Sequence, residues 1–321
     1  MVLVTGGTGF IGSHLLDRFC TLGESVRCLV RPRSVPRHLP PGVESAAGDL
    51  TSGQGLDHAL RGVDTVIHLA GVTKALRPAD YAAGNTRSTE ILLGALTGRP
   101  IRLVHVSSLA AIGPSVDGVP VNEDDEPHPL THYGRSKLAA EQIVRRLAPG
   151  AVIVRPPVVY GPRDTDVFQL LRSISKGLAV EIAGGKRWFS AIYVGDLVDG
   201  IIAVARNSRA AGRAYFLAYP KPSTWSDLRN AAARIMQRNP RVLRIPAGAA
   251  HAVGYCAELW SRLTGKPGII SREKVAEAQC TFWTCDTSRA AAELGFEAST
   301  SLESGLVETL AWYKEAGWLT Y

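Results

Sequence analysis

Val2-Leu3-Val4-Thr5-Gly6-Gly7-Thr8-Gly9-Phe10-Ile11-Gly12 is the stretch on which the fold turns. An apolar, strand-like run leads into clustered glycines, and a helix-like segment, Ile11–Leu22, follows. From Gly7 the pattern is Gly-x-Gly-x-x-Gly; from Gly6 it is Gly-x-x-Gly-x-x-Gly. Glycines here permit a tight turn, close approach of a pyrophosphate, and close packing of helix on strand. The helix start offers free amides and the positive end of its dipole to phosphate. The pattern therefore assigns Gly6, Gly9, Phe10, Ile11 and Gly12 to a dinucleotide cofactor.

The same alternation continues outward. Val26–Val30, Val43–Ala47, Val66–Leu69, Leu103–Val106 and Val152–Val154 read as strands. Leu56–Leu60, Ser88–Leu96 and Lys137–Leu147 read as the helices between them. Short apolar strands alternating with helices imply right-handed crossovers. The expected fold is α/β, a doubly wound parallel sheet covered on both faces. Past residue 160 the rhythm loosens. Phe168–Ser175, Leu197–Ala205, Trp225–Gln237, Ala250–Leu263 and Leu302–Tyr313 read as helices, with a strand near Ala214–Ala218. The reading places a dinucleotide-binding domain in 1–160, rejoined by about 186–218, and a smaller substrate domain across most of 161–321.

Bulk properties narrow the class. The chain has 321 residues, enough for one large or two interlocked domains. Its longest apolar candidate, Ala247 to Leu259, is broken by His251 and Glu258, so no membrane span is expected. No basic-then-apolar leader is legible, and five cysteines without a Cys-x-x-Cys fit reduced thiols in a cytoplasmic protein. Neither a disulfide framework nor a zinc site is indicated. The net charge of +7 comes from scattered arginines rather than a basic stripe interleaved with aromatics. A site for an anionic cofactor accounts for part of it better than nucleic acid does.

Two further places carry chemistry. After the second strand an acidic residue would bond the ribose hydroxyls of NAD(H). This chain instead reads Leu29-Val30-Arg31-Pro32-Arg33, so Arg31 and Arg33 favour the 2′-phosphate of NADP(H). In Thr131-His-Tyr133-Gly-Arg-Ser-Lys137, the phenol and ammonium would share one helix face. A cation beside Tyr133 is expected to lower its pKa and make it a proton donor and acceptor near neutral pH.

With these motifs in order, the chain resembles the extended short-chain dehydrogenase/reductases, a Rossmann-fold family. The resemblance rests on Thr5–Gly12, Gly48-Asp49-Leu50, His68-Leu-Ala-Gly71, Asn85, Val106-Ser107-Ser108, Tyr133-x-x-x-Lys137, Arg155–Pro162, Tyr193-Val-Gly-Asp196 and Asp286–Phe296. It implies Asp49 and Leu50 near the adenine, and Leu69, Ala70 and Gly71 beneath the nicotinamide ribose. It also implies Pro156 to Val158 around the nicotinamide, and Ser108, Tyr133 and Lys137 as the catalytic set. Asn85 would brace the site, and Asp196 would cap a helix. In the implied reaction a carbonyl oxygen lies between the Ser108 hydroxyl and the Tyr133 phenol, hydride reaches the carbon, and Tyr133 delivers the proton.

Two branches compete. Reductases and dehydrogenases of bulky ketones and alcohols, of the dihydroflavonol reductase and 3β-hydroxysteroid dehydrogenase type, are favoured over nucleotide-sugar epimerases and dehydratases holding NAD. The Leu-Val-Arg-Pro strand end favours the first. So do Leu109, Ala110 and Ala111 where dehydratases carry acids, and Phe189 where many sugar-nucleotide enzymes carry a diphosphate-binding arginine; Arg187 lies nearby. Lys74, Ser108, Leu109, Val159, Tyr160, Arg163, Phe168, Trp188 and Tyr193 are expected to touch a small-molecule, mostly hydrophobic substrate. A homodimer is expected by analogy. The segment 247–263 is read as a buried or lid helix in preference to one resting on lipid.

Overall fold

The computed structural model describes residues 1–32, 38–182, 186–265, 268 and 271–321. Arg33 lies outside them. The chain runs β1 (Val2–Thr5), α1 (Phe10–Thr21), β2 (Val26–Val30), β3 (Glu44–Ala47), α2 (Leu56–Ala59), β4 (Thr65–His68), α3 (Pro78–Tyr81), α4 (Ser88–Leu96) and β5 (Arg102–Val106). It continues through α5 (His132–Leu147), β6 (Val152–Arg155), β7 (Val158–Tyr160), α6 (Asp166–Ser175), β8 (Leu178–Ile182), β9 (Trp188–Phe189), β10 (Ala191–Tyr193), α7 (Val194–Arg206) and β11 (Ala214–Phe216). It closes with β12 (Ser223–Thr224), α8 (Trp225–Ile235), β13 (Arg241–Ile245), α9 (Ala247–Thr264), α10 (Arg272–Gln279), β14 (Phe282–Trp283), α11 (Ser288–Leu294) and α12 (Leu302–Glu315).

Seven strands form one parallel sheet in the order β11-β6-β5-β4-β1-β2-β3. The winding reverses between β1 and β4, and a crevice outside the strand ends at such a point is where ligands bind. Alternate strand residues serve opposite faces. Val4, Ile67, Val104 and Val154 pack under α1, α7 and α11, whereas Leu3, Val66, Leu103 and Ile153 pack under α2, α4 and α5. A third core joins α6, α8 and α12 around Leu171, Leu228 and Leu310, beyond the sheet edge. There Gly305 admits the Tyr160 ring so closely that an added Cβ would lie 2.5 Å from its hydroxyl.

One buried ion pair joins the helix of the tyrosine to the sheet. Arg155 on β6 donates from Nε and Nη2 to the Glu141 carboxylate on α5, at 3.1 and 2.7 Å. It also donates to the Glu123 carbonyl and lies over the Phe216 ring. Both partners are almost fully buried. Among the described residues no helix is long and apolar enough to cross a membrane.

Removing one partner from such a pair leaves the other charge uncompensated in the interior. Glu141→Gln is therefore expected to lower the unfolding free energy by about 3 kcal/mol. A urea denaturation midpoint no lower than that of the parent would refute this role.

Candidate active site

The glycine turn has the geometry a pyrophosphate needs. Gly6 has φ +72°, and an added Cβ would meet the Ala70 backbone nitrogen at 2.6 Å. A Cβ on Gly12 would meet the Gly6 carbonyl oxygen at 2.2 Å. Among the described residues no side chain caps the start of α1 behind Gly9, which leaves its first amides to an anion. Thr8 and Gly9 are exposed, and Phe10 and Ile11 are half-buried. The residues present thus fit a dinucleotide. At the ends of β2 and β3, Arg31 is exposed and close enough to Asp49 to help hold its carboxylate below the usual range. The main cause of that depression is Thr51, which donates to Asp49 from its hydroxyl and its amide. Leu50 packs toward the core under α2 and α4.

The candidate catalytic groups converge beside this turn. Gly71 stands against the Asn85 amide and near the Lys137 ammonium. Thr131 caps α5 by accepting from the Gly134 amide at 3.0 Å. Gly134 lets α5 start against the short turn Leu109–Ala111, since a Cβ there would meet the Ala110 oxygen at 2.3 Å. This close approach sets Ser108 beside Tyr133, where its hydroxyl favours the phenolate, while the serine oxygen accepts from the Ala110 amide at 3.1 Å. Asn85 sits on a π-helical turn, Ala82–Arg87, between α3 and α4. Its side chain pairs with both backbone groups of Val72 and donates to Ser136, whose hydroxyl donates to the Tyr133 carbonyl. Asn85 is therefore a brace rather than a helix cap.

A buried polar chain continues from there. Thr89 donates to the Asn85 carbonyl, so it must accept from His68 Nε2. The other ring nitrogen, Nδ1, then accepts from Thr5. That assignment requires a neutral ring, and burial, followed by the Lys137 charge, holds the His68 pKa down to about 3. His105 lies beside His68, fully buried, with neither ring nitrogen bonded among the described residues.

Lys137 is buried and donates to the Val106 carbonyl at 2.7 Å. Burial lowers its pKa to about 8, against an opposing pull from Glu141. Tyr133 departs from expectation. Its pKa is raised, because desolvation outweighs the lowering by Ser108 and Lys274. The protein alone thus keeps the phenol protonated.

Tyr133 borders a cleft of ≈ 410 Å³. One wall is the segment 73–78 with Tyr81; the other comes from α9 and α10 through Glu258, Ser261, Arg272 and Lys274. Glu273 on α10 accepts from the first amide of α5 and pairs with Arg135, fastening this wall to the tyrosine's helix. The cleft is lined by charge as well as carbon, with Lys74, Arg77, Arg272, Glu273 and Lys274 among its residues.

Of the proposed substrate residues, Lys74 lines the cleft, paired with Asp166. Arg163 instead binds Ser13 and Asp17 on α1. Tyr193 donates to Glu308 on α12, and Tyr160 is core. The Leu109 side chain packs with Ile112 and Phe216. Trp188 is held in a small sheet between Thr224 and Phe282, and Val159 packs on the core under α1. Phe168 meets the Tyr313 and Trp318 rings edge to face. Pro156 is buried and accepts from the Leu109 amide, and Val158 is half-buried on β7. Asp196 ties Thr300 to the first turn of α7 rather than capping it. The α10 wall was not expected, although Ser271 before Arg-Glu-Lys-Val-Ala-Glu is a helix-start signal.

Residues 2–218 match the family described as NAD dependent epimerase/dehydratase. The chain is 31% identical to a ceramide reductase of Caulobacter vibrioides, covering 99% of this chain and 96% of that protein. It is 29% identical to an N-acetyl-α-D-glucosaminyl-diphospho-ditrans,octacis-undecaprenol 4-epimerase of Escherichia coli O157:H7, over 96% of this chain and 94% of that one. A 4-hydroxy-2-methyl-3-oxo-4-farnesyl-3,4-dihydroquinoline-1-oxide ketoreductase of Stigmatella aurantiaca is 29% identical, over 94% and 93%. Among solved structures, MoeE5 in complex with UDP-glucose and NAD superposes with a TM-score of 0.79 at 25% identity, over 98% and 99% of the two chains. The chain belongs to the NAD dependent epimerase/dehydratase family and is an NAD(P)-dependent enzyme of the extended short-chain dehydrogenase/reductase type.

Proposed function

We propose that the protein is an NADP(H)-dependent oxidoreductase acting on a carbonyl or secondary alcohol of a bulky, largely hydrophobic substrate. The observation that carries this reading is the state of the cations around the cleft. Lys74 pairs with Asp166, Arg77 with Asp80, Arg272 with Glu258 and Lys274 with Glu277. Arg187, the nearest substitute for a diphosphate-binding arginine, spends its guanidinium on the Ile182 and Gln279 carbonyls. A sugar diphosphate would have to break these pairings, whereas a ketone needs only the hydroxyls of Ser108 and Tyr133. The relatives that reduce a ceramide and a farnesylated quinoline are in keeping with a greasy substrate.

The nicotinamide, when bound, supplies or takes up the hydride. Ser108 donates to the substrate oxygen and stabilises its developing charge, a contribution of up to a few kcal/mol. Tyr133 gives that oxygen its proton. The Lys137 ammonium stabilises the phenolate left behind, which the surrounding protein alone disfavours. Arg31 meets the 2′-phosphate. A nucleotide-sugar epimerase is the second reading, favoured by the charged cleft and by the relative acting on undecaprenol-linked sugar.

Tyr133→Phe removes the proton donor but not the fold. It should reduce ketone-dependent NADPH oxidation by on the order of 10³-fold; turnover near that of the parent would refute the assignment. Lys137, with its pKa lowered to about 8, is charged below that pH and neutral above it. The kcat/KM for reduction should therefore fall as pH rises through about 8, and a flat profile to pH 10 would remove the lysine from the reaction. Arg31→Ser should raise KM for NADPH about tenfold while leaving NADH little changed. An unchanged ratio of the two would speak against the NADP(H) preference. Isomerisation of a UDP-sugar with no net cofactor turnover would favour the second reading.

A further inference from the structure

Helix α9 is amphipathic in the wrong direction for a buried helix. Ala252, Val253, Cys256, Leu259, Trp260 and Leu263 recur at helical spacing, all are exposed, and they fall within an arc of about 120°. Trp260 is 69% exposed and Leu263 82%. The side turned to the protein carries the small residues Ala250, Gly254 and Ser261. Gly254 lets that side sit close, because a Cβ would lie 3.2 to 3.3 Å from Val275 and the Arg272 backbone on α10, tighter than an ordinary contact. The preceding strand, β13, exposes Val242 and Leu243 as well.

The charge around this face is lopsided. Arg238, Arg241 and Arg244, at and just before β13, are exposed, and among the described residues only Arg244 has a carboxylate near it, Glu181 at 3.5 Å, whereas Arg272 and Lys274 line the cleft and pair with Glu258 and Glu277. A two-fold dimer through this face would set that charge against its own copy. An anionic lipid surface would attract it, at roughly 1 kcal/mol for each basic residue near the surface. An apolar stripe with Trp260 on it and Tyr255 exposed beside it, led into by the exposed arginines of β13, has the make-up of a helix that lies in a membrane interface. It is not one that crosses.

We propose that α9 docks the protein on anionic membranes and opens the cleft to substrate held in the lipid. Glu258 and Ser261 of the same helix line the cleft bordered by Tyr133. An amphiphile could therefore pass from the interface to the tyrosine along α9 without crossing bulk water. The docking stands independently of the chemistry; the delivery of substrate rests on the oxidoreductase reading above.

The test uses the full chain and sedimentation with phosphatidylcholine vesicles, with and without phosphatidylglycerol. The parent should bind the anionic vesicles, and more weakly the neutral ones or at high salt. The Leu259→Ser/Trp260→Ser/Leu263→Ser variant should partition on the order of a hundredfold more weakly. It should also reduce a small water-soluble ketone at the parental rate while losing turnover of a ketone dissolved in vesicles. Leu263→Glu, at the most exposed position, serves if the triple variant does not fold, and should also weaken binding. Failure of the parent to bind either vesicle, or equal binding by both variants, overturns the proposal. So does a dimer that the variants dissociate while vesicle binding is unchanged. Vesicle binding as expected, with no ketone reduced by the parent, would instead leave docking intact and remove the oxidoreductase reading.

Discussion

An ammonium group carried into a protein interior must be compensated where it lies, and Lys137 sets the terms for everything around it. Its ammonium donates to the Val106 carbonyl at the end of β5, and its charge is favoured by Glu141 one turn further along α5. Glu141 is in turn the partner of Arg155 on β6. One carboxylate thus helps hold two buried cations, one on its own helix and one on the sheet. Shifting α5 by a fraction of a turn would separate charges from partners in a medium that screens them poorly. The position of Tyr133 is a consequence of that constraint. The same ammonium acts on His68 and His105, both of which burial and Lys137 keep neutral. A neutral His68 can accept from Thr5 and donate to Thr89, which links the glycine turn to Asn85 and so to the helix of the tyrosine.

Much of this was legible in the sequence, for identifiable reasons. A parallel strand buried on both faces reads as an apolar run, and Val2–Thr5 falls on one; Val26–Val30 does too apart from Arg27, whose guanidinium is taken up by Glu44 and the Ala59 and Arg61 carbonyls. The glycine turn, Ala70, Gly71 and the Tyr–Lys pair converge because each is fixed by its place at a strand end or helix start. The direction of the Tyr133 shift was not legible. Spacing says that Tyr133 and Lys137 share a face but not how dry that face is, and dryness decides the sign of the shift.

Several of the expected substrate residues are held by other contacts. Tyr160, Tyr193, Leu109 and Arg163 are of types that suit a pocket, a core or a surface clasp equally. Only the tertiary contacts decide, and here Glu308, Ser301, Phe216 and Asp17 claim them. The wall that does face Tyr133 comes from α10, more than a hundred residues along the chain. That helix buries one large apolar side chain, Val275, so it has almost no hydrophobic period to detect. Its placement depends on Glu273 meeting the free amide of His132, a contact with no signature in either segment alone.

Helix α9 shows the limit of periodicity most plainly. Its spacing announces an amphipathic helix, and the ordinary inference turns the apolar side inward. The structure turns it outward because packing distance, not hydrophobicity, governs the contact with α10. At Gly254 a Cβ would press on Val275 and the Arg272 backbone of α10, and the small residues Ala250 and Ser261 are the other buried positions on that side. The large side chains Leu259, Trp260 and Leu263 are left on the far side, where exposure to water costs the hydrophobic stabilisation that burial would bring. A helix that forgoes this contribution in water regains it only when the outer face meets something apolar. The wall of the cleft and the exposed stripe are two sides of one helix, so the geometry that narrows the site to small residues also creates the greasy surface beside its mouth.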